Sequence, residues 1–139
     1  MAKVLLDTSV YIPWLRNGTA PLPLLQSPNA ILYLSAVVLQ ELLAGAVDRR
    51  TTQLLDALHE TFAEHERVVV PNEQEWIRCG KVLAAIGMQH GFETIRKVRL
   101  VNDVLIALSA ARLGSELWTA NHRDFRLIAE HVPCRILEV

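Results

Sequence analysis

Apolar positions along the chain follow two rhythms. Short unbroken runs, Val4-Leu5-Leu6, Ala30-Ile31-Leu32-Tyr33-Leu34 and Val68-Val69-Val70-Pro71, are too brief for helices and suit strands covered on both faces. Glu116-Leu117-Trp118-Thr119 reads as a fourth strand, and Arg135-Ile136-Leu137 can close the sheet. Between them, apolar residues recur every three to four positions. Thr8 to Leu15 can form a short helix, limited by Pro13 and stopped at Asn17-Gly18. Ser35 caps a helix through Ala44-Gly45, and a further one from about Asp48 to Glu64 carries Leu54, Leu55, Leu58 and Phe62 on one face. Asn72 and Glu75 form a capping-box pattern opening a helix to about Gln89. Asn102-Asp103 precedes Val104 to Ala111, a helix so apolar that most of its circumference must be buried, with Gly114 ending it. Asp124 opens a last helix, Phe125 to His131. Strands alternating with helices predict an α/β fold, a three-layer α/β/α domain around a mostly parallel central sheet of about five strands with right-handed crossovers. The 139 residues fit one domain, 1–139, without linker or repeat.

Composition narrows the setting. A hydrophobic share of 51% and a mean hydropathy of +0.23 imply a generous core or a buried interface. Charges nevertheless interrupt every apolar run short of the roughly 18 residues that a membrane span needs. Met1-Ala2-Lys3 leads straight into the first strand without secretory-signal features, and Cys79 and Cys134 match no metal spacing. A cytoplasmic protein with reduced thiols and no membrane association is the expectation. The net charge of -1 lacks the basic footprint of a typical nucleic-acid binder, so any such binding must use a local patch. Arg96, Lys97 and Arg99 form the only tight basic group. Their composition fits a solvated turn, and their position before Asp103 makes them the best candidate for phosphate contacts.

Chemistry concentrates in four carboxylates. Asp7, Glu41, Asp103 and Asp124 fall at or near the beginnings of helices that follow a strand or a loop. In a parallel sheet those turns share the carboxyl edge, where ligands bind. The three aspartates are equally natural N-caps, while Glu41 lies between Leu39 and Leu42-Leu43, an awkward place for a wholly solvated side chain. Four converging acids repel unless a cation compensates them. Oxygen ligands in that number suit Mg²⁺ or Mn²⁺; Mg²⁺ takes one or two carboxylates, keeps several waters and completes its shell with phosphate oxygens, which points to phosphoryl chemistry. Ser9 can assist such a site or simply cap a helix. Other chemistries lack their parts: there is no Gly-rich phosphate loop, His59-Glu60 is followed by Ala63 rather than a second histidine, and no motif supplies a base for a serine nucleophile.

Taken together, Leu-Asp-Thr-Ser at the first strand end, Glu41 in the second helix, Asn-Asp-Val-Leu-Ile-Ala at 102–107 and Thr-Ala-Asn-His-Arg-Asp-Phe at 119–125 resemble a PIN-domain ribonuclease of the VapC toxin type, in the family's order and over essentially the whole chain. The resemblance implies Asp7, Glu41 and Asp103 as metal-binding acids, Asp124 completing the site, and Thr8, Ser9, Thr119 and Asn121 as supporting polar groups. Family members differ over which position of the last motif, that of Asn121 or of Asp124, contacts metal. Also implied are Mg²⁺, with Mn²⁺ as substitute, a metal-activated water attacking an RNA phosphodiester in line, a homodimer, and a small antitoxin protein inserting a segment into the groove. Tyr11, Trp14 and Leu15 would serve as a dimer face or as core. Two alternatives stand beside this reading: a catalytically inactive PIN-like RNA-binding module, and a receiver-like phosphoacceptor domain. Against the second, the only lysines are Lys3, Lys81 and Lys97, none placed late in the sheet where such domains carry one.

Overall fold

The computed structural model describes residues 2–18, 27–95 and 98–139, with the side chains of residues 94, 95, 98 and 99 outside the description. Arg96 and Lys97, and the side chain of Arg99, therefore lie outside the description. Five strands, β1 (Ala2–Leu6), β2 (Ala30–Ser35), β3 (Val68–Val69), β4 (Glu116–Thr119) and β5 (Arg135–Glu138), form one sheet in the order β3-β2-β1-β4-β5, every pair parallel. Val4, Leu5 and Leu6 are each 1% exposed or less, as expected of a central strand covered on both faces. The fold is the three-layer α/β/α arrangement expected from the alternating pattern.

The strand order has a consequence for function. After β1 the chain builds outward through β2 and β3, then crosses back to lay β4 on the other side of β1. The carboxyl ends of β1 and β4 therefore flank the point where the winding reverses, which opens a crevice in such sheets. Asp7 follows β1 directly, its amide donating to the Trp118 carbonyl at 3.0 Å, and Thr119 ends β4.

Seven helices are described: α1 (Thr8–Arg16), α2 (Ala36–Gly45), α3 (Arg49–Glu64), α4 (Glu73–His90), α5 (Phe92–Ile95), α6 (Val98–Leu113) and α7 (His122–Ala129). Their ends follow local chemistry. Ser35 Oγ accepts from the Val37 and Val38 amides, Asp48 from Thr51, and Asn72 with Glu75 closes a full capping box. Glu75 also takes Arg112 at 3.1 Å, which ties α4 to α6. Gly114, at φ 68°, makes the left-handed turn that stops α6 before β4.

Three sequence expectations change. The third strand ends at Val69, because Val70 is 60% exposed and Pro71 has no N–H for a ladder. Asp103 does not stand ahead of its helix: α6 starts at Val98, since Leu100, 2% exposed, already anchors the first turn in the core. Asp124 likewise lies within the first turn of α7 rather than before it, because that helix starts at His122. Tyr11 is fully buried, so the α1 face it shares with Trp14 and Leu15 belongs at that position to the core. Cys79 is buried with its thiol pushed up to about 11 by desolvation, in keeping with a reduced core thiol. Among the described residues no helix is long and apolar enough to cross a membrane.

Candidate active site

The crevice is furnished from four places in the chain. Asp7, 2% exposed, caps α1 by accepting the Ser9 amide at 3.0 Å, so its capping role and its placement in the site coexist. The same oxygen accepts the Ser9 hydroxyl, while the other takes Thr119 Oγ1 at 2.7 Å across the switch point. Ser9 Oγ in turn accepts the Ala120 amide at 2.9 Å. Burial raises the Asp7 carboxyl above its ordinary value, and the bonds from Ser9 and Thr119 offset only part of that shift.

Thr119 continues the network. Its hydroxyl accepts the Asn121 amide at 2.8 Å, turning the chain after β4 so that the Asn121 side chain faces inward. Asn121 occupies the N-cap position of α7 without making a side-chain cap bond. Instead its Nδ2 donates to Asp103 Oδ2 and to Asp124 Oδ2, each at 3.2 Å. Two carboxylate oxygens on one nitrogen can be no farther apart than twice that distance. Asp103, in the second turn of α6, is 3% exposed and Asp124 is partly exposed. Glu41, in the second turn of α2, reaches the same edge by accepting Thr8 Oγ1 at 2.8 Å.

All eight residues that the sequence pointed to at this edge are thus joined by hydrogen bonds into two adjacent groups: Glu41 with Thr8, and Asp7, Ser9, Thr119, Asn121, Asp103 and Asp124. The acids do not crowd one another bare, because hydroxyls and one amide stand between them. Among the described residues no three His, Cys, Asp or Glu side chains converge closely enough to hold an ion jointly. The donor set nonetheless fits a hard divalent cation, since Mg²⁺ needs only one or two carboxylates and otherwise keeps water, and the Asp103–Asp124 pair supplies two.

Beside Glu41 lies a cavity of about 590 Å³ that the sequence did not single out. Thr8 and Glu41 form one end, the apolar side chains of Ile12, Leu15 and Leu42 a wall, and Arg16 and Arg50 also line it. One signal was legible in advance: Thr8, Ile12, Leu15 and Arg16 recur at helical spacing along one face of α1.

Residues 4–131 match the family model described as PIN domain. Among solved structures, VapBC-1 from nontypeable Haemophilus influenzae is similar at 26% identity and a TM-score of 0.62, over 98% of this chain and 97% of that one. DNA-bound VapBC from Salmonella typhimurium is similar at 24% identity and 0.64, covering 99% and 98%. VapBC-5 from Mycobacterium tuberculosis, a member of the VapBC family of toxin-antitoxin systems, is similar at 23% and 0.57, covering 100% of both chains. At these lower identities the last two speak to fold alone. No curated protein matches the chain.

Proposed function

This chain belongs to the PIN-domain family, and on that premise we propose that it is a Mg²⁺-dependent endoribonuclease, the toxin of a toxin–antitoxin pair. The observation that carries the reading is the Asn121 amide holding Asp103 and Asp124 together beside the buried, desolvated Asp7. The similarity to VapBC-1 supports a small cognate antitoxin as partner.

Asp103 and Asp124 would hold the ion, with Asp7 and Glu41 adding negative charge around it. When bound, the cation supplies Lewis-acid stabilisation of the charge that builds on a phosphodiester and lowers the pKa of water at the site. The protein's own residues do the rest. Ser9 and Thr119 fix both oxygens of Asp7, so its charge cannot swing out to solvent. Thr8 tethers Glu41 in the same way. Asn121 holds two acids in one place while its N–H dipoles relieve their repulsion, which preorganises the site before any ligand arrives. No carboxylate need act as nucleophile, because hydrolysis requires only a positioned water and a stabilised phosphate.

The test is cleavage of single-stranded RNA by purified protein with Mg²⁺ or Mn²⁺. Asp7→Asn and Asp103→Asn each remove one charge at constant volume and should each abolish cleavage with the circular dichroism spectrum unchanged. Near wild-type cleavage by either variant would sink the assignment, and RNA binding without cleavage by the wild type would identify an inactive RNA-binding module instead.

A further inference from the structure

We infer that the cavity between α1, α2 and the start of α3 is an RNA subsite, in which Arg16 and Arg50 grip a phosphate of the strand on one side of the cleaved bond; this rests on the ribonuclease reading above. The cavity is continuous with the acidic centre, because Thr8 and Glu41, bonded to each other at 2.8 Å, are its inner end. Arg16 stands at the far end of α1 from Thr8, about 12 Å along the axis at 1.5 Å per residue. Charge therefore shifts along the groove: Glu41 lies toward the acidic centre, and two guanidinium groups outnumber the single Asp48 carboxylate farther out.

Both arginines are exposed and line the cavity. Among the described residues neither forms an ion pair with a carboxylate, as is also true of Arg49, Arg67, Arg78 and Arg123, so it is their place at this cavity that sets them apart. Asp48, which shares the cavity lining, accepts the Thr51 amide at 2.9 Å with one oxygen and also feels the charge of Arg50, without a direct ion pair between them. Arg50 is moreover laid against the turn after α1: a Cβ built on Gly18 would come within 2.9 Å of its Nη2. Gly18, at φ 71°, both makes that turn and leaves the guanidinium its place. Planar guanidinium groups suit phosphate oxygens bidentately. The Ile12, Leu15 and Leu42 wall between the two charged ends offers an apolar surface to a base, in keeping with recognition of unpaired nucleotides.

The experiment uses the Asp103→Asn protein with Mg²⁺, in which cleavage is blocked, and a labelled single-stranded RNA of mixed sequence followed by fluorescence anisotropy over a salt series. Arg16→Gln with Arg50→Gln should weaken binding by about tenfold or more. The slope of log affinity against log salt should fall by about 0.7, the change for one lost phosphate contact on a single strand. The control is Arg78→Gln with Lys81→Gln on the exposed face of α4, the same change in charge elsewhere, which should leave both nearly unaltered. In the cleaving protein the Arg16/Arg50 pair should raise KM with little change in kcat. Equal losses in the two double variants, or none in either, overturn the subsite, as they would if the cavity received a protein segment rather than RNA. If the parent binds no RNA at all, the ribonuclease reading itself fails, and the subsite with it.

Discussion

Replacing Asn121 by Asp tests the arrangement of the site most directly, because it turns the donor between two carboxylates into a third carboxylate. The wild-type amide gives one hydrogen to Asp103 and one to Asp124 at 3.2 Å. Losing both bonds to charged acceptors costs roughly 2 kcal/mol at these lengths. Each new pair of like charges about 4 Å apart adds about 4 kcal/mol at an effective dielectric near 20. Solvent at the partly exposed Asp124 and Asn121 reduces that figure. Protonation sets a ceiling, since holding one carboxyl neutral at pH 7 against an ordinary pKa near 3.9 costs about 4 kcal/mol. The metal-free variant should therefore be less stable by about 3 kcal/mol, a fall in Tm of about 10 °C for a chain of this size. The sign with pH follows from linkage. The crowded carboxyl has a raised pKa in the folded state, so the folded protein binds more protons and its stability deficit shrinks as pH falls toward 5. Asn121→Ala, which loses the bonds without adding charge, should cost about 1 to 2 kcal/mol and show no such pH dependence. Mg²⁺ should restore Asn121→Asp more than it stabilises the wild type. Thermal melts in EDTA and in millimolar Mg²⁺ at two pH values provide the readout, and an Asn121→Asp protein melting within about 1 °C of wild type in EDTA at pH 7 would refute the bridged-carboxylate reasoning.

Three further outcomes are expected. Asp103→Asn should stabilise the metal-free protein by about 1 kcal/mol after screening, since the new side chain keeps an oxygen for Asn121 while one repulsion goes, and Mg²⁺ should then scarcely raise its Tm; destabilisation in EDTA would mean that Asp103 is chiefly structural. Because burial raises the folded-state pKa of Asp7, metal-free wild type should lose stability relative to Asp7→Asn as pH climbs from about 4 through that raised value, and parallel urea-denaturation curves for the two proteins across that range would contradict it. Neutralising Arg96, Lys97 and Arg99 together should weaken RNA binding and flatten its salt dependence, whereas an unchanged slope would assign them to a solvated turn.

Much of this molecule is written in short-range signals. The apolar run before Asp7 made a buried strand, Ser35, Asp48 and Asn72 capped the helices they precede, and Gly114 stopped α6, because strand burial, capping and left-handed turns are decided within a few residues. The four acids of the site stood out in the sequence by their places near element starts, and the family resemblance added Thr8, Ser9, Thr119 and Asn121. Their partnerships were not legible. Thr119 meets Asp7 across 112 residues and Asn121 meets Asp103 across 18, contacts that exist only because β4 is laid beside β1 and reverses the winding of the sheet there. The start of α6 was missed for the same reason: Asn102-Asp103 has the local chemistry of a cap, but burial of Leu100 extends the helix past it. Asn121 shows the limit most clearly. Locally it is an N-cap residue, and it gives up that bond because two carboxylates from α6 and α7 accept its hydrogens instead. The sequence by itself determined the elements and the chemistry carried at their ends; the tertiary structure decided which ends meet, because strand order brings together groups whose attraction no local pattern encodes.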